Sequence, residues 1–106
     1  MKIVGVAACT SGIAHTYIAK EKIIQAAKKL GYEIHIETQG TIGTEDELTT
    51  QEISDADFVL LAVDIKISGK ERFEGKKVFE VPTNIVIKSP TKLLETLAKK
   101  VGKGDE

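Results

Sequence analysis

The residues able to do chemistry are gathered in Cys9-Thr10-Ser11-Gly12-Ile13-Ala14-His15-Thr16, a thiol followed by hydroxyls, a glycine and the start of a helical pattern. They directly follow the apolar run Ile3 to Ala8. A thiol beside a helix start feels the positive end of the macrodipole, and its thiolate can accept from amides that lack helical partners. Both effects favour the thiolate; a free cysteine titrates near ~8.5, and sites of this kind reach about 3.5–7.5. The same amides suit the three oxygens of a phosphoryl group once it sits on sulfur. Gly12 lets the backbone curl around it, and Thr10, Ser11 and Thr16 add hydroxyl donors. The plainer alternative makes Cys9 a small buried hydrophobe, with Ser11 or Thr16 capping the helix. Its position at the end of a buried strand, followed by the polar Thr10-Ser11, favours the reactive reading: a cysteine that carries a phosphoryl group.

Two other functions use similar parts. Cysteine-dependent phosphatases clamp phosphate with Cys-x5-Arg, but here the sixth residue after Cys9 is His15. Without that arginine the loop holds phosphate less strongly, which favours a donor with a good leaving group, such as phosphohistidine, over a phosphate ester. His15 stays open between a neutral ring packed at the helix start and a protonated one helping to hold phosphate. The remaining alternative is a non-catalytic, anion-binding regulatory module.

The elements that must position this loop follow from periodicity. Ile3 to Ala8 and Phe58 to Val63 are continuous apolar runs, expected as strands covered on both faces. From His15 to Leu30, Ala19, Ile23, Ala26, Ala27 and Leu30 recur at helical spacing, and Gly31 stops the helix. Tyr32 to Thr38 alternates, predicting an outer strand with Glu33, His35 and Glu37 toward solvent. Gln39 to Gly43 reads as a loop. Thr49 to Glu52 has capping-box spacing for a short helix through Ala56, with a competing match at Thr44 to Glu47. After Asp64 comes a polar segment in which Lys66, Lys70 and Arg72 read as solvated charges, with a helical turn over residues 70–73. Lys77 to Val81 is the fourth strand, ended by Pro82. Residues 84–88 are ambiguous between strand and connector. Ser89-Pro90 opens a last helix with Leu93, Leu94, Leu97 and Val101 inward, and residues 102–106 read as a frayed tail.

This alternation predicts an α/β fold: one domain over residues 1–106, with a small four-stranded parallel sheet in the order 2-1-3-4 and helices on both faces, flavodoxin-like. The chain would then reverse direction beside the first strand, where such sheets bind ligands. The rim there collects the Cys9 loop, the Thr38-Gln39-Gly40 loop and Asp64. Asp64 is read first as structural, orienting a loop lysine or Arg72 or capping a turn, and second as a neighbour touching the site through water.

Composition narrows the partners. Fifteen basic and sixteen acidic residues nearly cancel and are interspersed, so the chain lacks the basic footprint of a nucleic-acid binder. One cysteine allows no internal disulfide and fits a reducing, cytoplasmic setting. No Cys/His grouping has zinc-ligand spacing, so neither metal nor cofactor is expected. Ile3 to Ala8 is too short for a signal h-region, and no run approaches the ~20 apolar residues of a membrane span.

An ordered set of motifs resembles one known family. Cys9 with Gly12-Ile13-Ala14-His15-Thr16, then Glu37-Thr38-Gln39-Gly40, Leu48-Thr49, Asp64 and Arg72-Phe73, is similar to the fructose-type enzyme IIB components of the bacterial phosphoenolpyruvate-dependent sugar phosphotransferase system. The likeness covers roughly residues 2 to 81. It departs at Thr10-Ser11, where the family usually has Pro-Thr; a hydroxyl is retained. The resemblance implies that Cys9 accepts a phosphoryl group from a histidine of the IIA component. It also implies that Cys9 passes the group to a sugar, fructose or a relative, held by the membrane-embedded IIC component.

Overall fold

In the computed structural model, which describes residues 2–8, 13–40, 43–67 and 69–102, five strands form one sheet in the order β3-β2-β1-β4-β5. The strands are β1 (Lys2–Ala8), β2 (Glu33–Gly40), β3 (Gly43–Glu45), β4 (Phe58–Val63) and β5 (Val78–Val81). The helices are α1 (Ile13–Leu30), α2 (Thr50–Asp55), α3 (Thr83–Lys88) and α4 (Pro90–Gly102), with a 3-10 turn at Lys70–Phe73. The four parallel strands have the expected order, β2-β1-β4-β5.

The fifth strand was not anticipated. β2 continues through Gln39 and Gly40, expected as loop, and pairs antiparallel with β3, Thr38 facing Glu45 and Gly40 facing Gly43. Hydrophobic alternation does not register it because β3 is wholly exposed and contributes main-chain pairing rather than core. Thr44, a candidate helix start, lies in β3. Helix α2 instead uses Thr49: its hydroxyl accepts from the Glu52 amide while the Glu52 carboxylate accepts from the Thr49 amide, closing the capping box.

Successive residues of β1 serve two cores. Ile3 and Ala7, with Ile36, Phe58, Leu60 and Ala62, pack under Ala19, Ile23, Ala26 and Ala27 of α1, Val86 of α3 and Leu94 of α4. Val4 and Val6, with Val59 and Leu61, pack against Leu48, Ile53 and Ala56 around α2 and Phe73 of the 3-10 turn. Helix α1 ends in a Schellman motif: the Tyr32 amide donates to Ala27 O at 2.8 Å and the Gly31 amide to Lys28 O at 3.2 Å. Gly31 itself has φ 79°. The ambiguous segment before α4 is helical. Its start, α3, is fixed by Asp64, whose carboxylate accepts from the Thr83 amide at 3.1 Å and the Thr83 hydroxyl at 2.6 Å. Pro90 opens α4, and Ser89 O accepts from the Leu93 amide at 3.0 Å. Of the expected tail, Gly102 ends α4 and 103–106 lie outside the described residues.

Gly5, midway along β1, has no room for a side chain. A Cβ there would overlap the Leu60 carbonyl oxygen and come within 2.9 Å of Ile36 Cδ1. Gly5→Ala is expected to lose at least ~2 kcal/mol in urea unfolding, because the overlap is with backbone that cannot turn aside. A midpoint and slope equal to those of the unsubstituted chain would contradict this packing.

Candidate functional site

The carboxyl end of β1 is Ala8, and α1 begins at Ile13, so Cys9 to Gly12 occupy the strand-to-helix junction. Cys9, Thr10, Ser11 and Gly12 lie outside the described residues. Ile13, Ala14 and His15 form the first turn of α1, and Thr16 behind them is buried, 4% exposed. The junction lies between β2 and β4, where the order of strands reverses.

Three strands present residues at this rim. From β4, the Asp64 amide donates to Ala8 O at 3.0 Å, so Asp64 sits against the last residue before Cys9. Its carboxylate is turned to Thr83, so the capping role expected for it is present. From β2, Thr38 stands opposite Ala7, with Gln39 and Gly40 beyond it. Thr38 is 3% exposed, and its Oγ1 is the buried side-chain polar atom that has no hydrogen-bond partner among the described residues. A buried polar group left in that state costs about 1–3 kcal/mol.

The solvent-facing expectation fails at Glu37, which is 0% exposed. Arg72, expected as a solvated charge, grips it with both ends of the guanidinium: Nη1 to Oε1 at 2.7 Å and Nη2 to Oε2 at 2.8 Å. The Leu48 amide donates to Oε1 at 3.0 Å and Gln39 Nε2 to Oε2 at 2.9 Å. Burial pushes the Glu37 carboxyl up, but the hydrogen bonds from Arg72, Gln39 and the Leu48 amide outweigh it and hold it below its ordinary value. Arg72 also donates from Nε to Gly69 O at 2.8 Å and lies over the Phe73 ring, 4.8 Å from its centroid. One guanidinium thus ties the polar segment after β4 to the rim end of β2. Sequence reasoning missed this pair because its members are far apart in the chain and Glu37 lies in the polar register of its strand.

His35, also in that register, is half-buried, with Nδ1 2.6 Å from Glu52 Oε2. Lys66 is exposed, as expected, and Lys70 donates to Glu80 at 3.0 Å on the surface. A cavity of about 520 Å³, lined by Lys2, Tyr32, Glu33, His35 and Glu52 among others, opens at the amino ends of the strands, away from Ala8. Thr38, Gln39, Gly40 and Asp64 are not among its lining residues. On the outer side of the rim, Tyr17 and Lys20 of α1 bond Glu45 and Asp46, fastening β3 to the helix that begins at the junction.

Comparison with known proteins adds an independent line. Residues 4–96 match the family described as "PTS system, Lactose/Cellobiose specific IIB subunit". The "PTS system fructose-like EIIB component 2" of Escherichia coli K12 is 48% identical over 87 residues, 82% of each chain. The "PTS system fructose-specific EIIABC component" of Bacillus subtilis is 45% identical over 94 residues, which are 89% of this chain and 15% of that much longer one. Among solved structures, an enzyme IIB subunit of the PTS system from Escherichia coli K12 superposes with a TM-score of 0.92 at 31% identity, over 99% of this chain and 97% of that one.

The Glu37–Arg72 pair makes a pH-resolved prediction. In the unsubstituted chain the carboxyl is held below 4.5, so its contribution is present above that pH and lost as pH falls through the folded value. In Arg72→Met, burial with less opposition raises the carboxyl, so its contribution is lost as pH rises. Urea unfolding is expected to show a loss of ~3 kcal/mol at pH 7 that shrinks toward pH 5. A loss independent of pH would show that Glu37 is not the group left behind.

Proposed function

The chain belongs to the IIB family of the bacterial sugar phosphotransferase system, in its fructose-type branch, and on that footing we propose that Cys9 is its phosphoryl carrier. The thiolate attacks the phosphorus of a phosphohistidine on the IIA component. The S–P bond forms as the N–P bond breaks, and the departing imidazole nitrogen keeps the electron pair and takes up a proton. In the transition state the charge lies on three equatorial oxygens, which the backbone amides of residues 10–16 and the amino end of α1 stabilise. Transfer onward breaks S–P and forms O–P on a sugar hydroxyl, whose proton is released, and the sulfur leaves again as thiolate.

The observation that carries this reading is the strand order. It supports a reactive Cys9 because the residue following β1 falls at the reversal point of a parallel sheet, at the start of an 18-residue helix. His15 at the sixth position after Cys9 favours transfer over hydrolysis, since an arginine clamp for a phosphate ester is missing there. The donor is the IIA component and the acceptor a fructose-like sugar held by the membrane IIC component, in keeping with the EIIABC name of the Bacillus subtilis relative. We place the chain, working as one IIB unit over residues 1–106, in the cytoplasm and at the membrane through IIC. No described helix is long and apolar enough to cross a membrane itself. Gln39, Gly40 and Asp64 frame the rim, and the reaction calls for no metal or cofactor.

Incubation with phosphorylated IIA, followed by intact-mass and peptide mass spectrometry, should give one phosphoryl adduct, on Cys9, and none on Cys9→Ser. An adduct of equal yield on Cys9→Ser would reject the assignment. Steady release of phosphate from an aryl ester without any partner would favour a phosphatase instead.

A further inference from the structure

The outer edge of β2 is only half covered. β2 runs from Glu33 to Gly40, and β3 pairs with Thr38, Gln39 and Gly40 alone. Along residues 33–37, the backbone groups that point away from β1 therefore meet no strand among the described residues. Beside Glu33, Ile34 and His35 lies the cavity of about 520 Å³, walled by Ile24 and Lys28 of α1 on one side and by Gln51 and Glu52 of α2 on the other. A hollow between two layers with an unpaired edge behind it has room for one more strand, which would lie about 4.8 Å from β2. The opposite edge, β5, is four residues long, and its Glu80 is taken by Lys70.

The side chains along the edge select the strand that fits. Alternation turns Glu33 and His35 to the α2 face, where His35 Nδ1 is 2.6 Å from Glu52 Oε2. It turns Ile34 and Ile36 to the α1 face, where Tyr32 joins them against the core. We propose that this edge pairs with the same edge of a second copy of the chain, antiparallel about a two-fold axis at Ile34, joining two five-stranded sheets into one. That register sets Ile34 against Ile34 and Tyr32 against Ile36 of the other copy on the α1 face. On the α2 face it sets Glu33 of each copy across from His35 of the other, carboxylate facing imidazole, on both sides of the axis. The neighbouring two-fold registers are worse: centred on Glu33 the axis brings Glu33 against Glu33, and centred on His35 it brings Glu33 against Glu37. The edge is thus complementary to itself in one register. The pairing uses the amino half of β2, leaves the carboxyl-end rim open, and does not depend on Cys9 as the carrier.

Sedimentation velocity reads the oligomeric state, and amide hydrogen exchange locates the contact. The unsubstituted chain should pass from monomer at about 10 μM to mostly dimer at about 1 mM, the range of a small interface. Over the same rise in concentration, the outward amides among residues 32–36 should exchange about tenfold more slowly. Glu33→Lys changes a side chain that is 73% exposed and whose ion-pair partner, Lys2, lies 3.8 Å away on the surface. It should leave the Tm of the dilute chain unchanged and weaken self-association about tenfold, because attraction across the axis becomes repulsion on both sides. If the lysine lowers that Tm, Glu33→Gln, which removes the charge without adding another, supplies the comparison and should weaken association less. A chain still monomeric at about 1 mM would overturn the proposal and leave this edge for an extended segment of a different protein. A dimer that both variants leave as tight, or one whose protected amides fall outside residues 32–36, would overturn it as well.

Discussion

Strand β1 is hydrogen-bonded along both edges and buried on both faces, and the position of everything at the rim depends on it. Its parallel partners are β2 on one side and β4 on the other. From Ile3 to Ala8 no residue with a side chain is more than 3% exposed. A strand held in this way cannot slip by one residue without moving Ile3 and Ala7 out of one core and Val4 and Val6 out of the other. Its register determines where Ala8, its last residue and the one before Cys9 in the sequence, stands against β2 and β4. The Asp64 amide on Ala8 O extends the same ladder one step further, bringing the end of β4 to the same edge.

Around that fixed strand, the rim is braced by polar contacts, buried at Glu37 and exposed on the outer side. Arg72 joins the polar segment after β4 to β2 through Glu37, and Asp64 joins the end of β4 to the start of α3 through Thr83. Tyr17 and Lys20 join α1 to the β2–β3 hairpin. Each contact ties a connection at the carboxyl ends to a different element. A site that must receive a charged group benefits from donors fixed before the group arrives, since reorienting them during the reaction would raise the barrier.

Much of this was legible in the chain because hydrophobic periodicity reports on what is buried in apolar surroundings. The unbroken apolar runs of β1 and β4, the capping box at Thr49 and Glu52, and the stop at Gly31 all appear where the pattern places them. Strand order followed from the one-sided alternation of β2. The pattern failed where burial is polar: a carboxylate sealed by a guanidinium 35 residues away looks like a solvated residue in any local window. It also failed at β3, which is held by main-chain pairing and adds nothing to either core, and at α3, whose start is fixed by the side chain of Asp64, just after β4. Motif order carried the site itself, since Cys9 to Gly12 lie outside the described residues.

The distinction between a carrier and a hydrolase turns on what happens to the phosphoryl group after it reaches sulfur. In the proposed carrier, a loop with amide donors but no arginine at the sixth position after the thiol would stabilise the bound group without equipping water to attack it. The most direct measurement is a chase. The chain is phosphorylated with radiolabelled phosphate from IIA, freed of donor, and divided between buffer alone and membranes carrying IIC with sugar. The account predicts that label stays on the protein in buffer and moves to sugar phosphate when IIC and sugar are supplied. Release of inorganic phosphate at the same rate in both arms, with no labelled sugar, would contradict it.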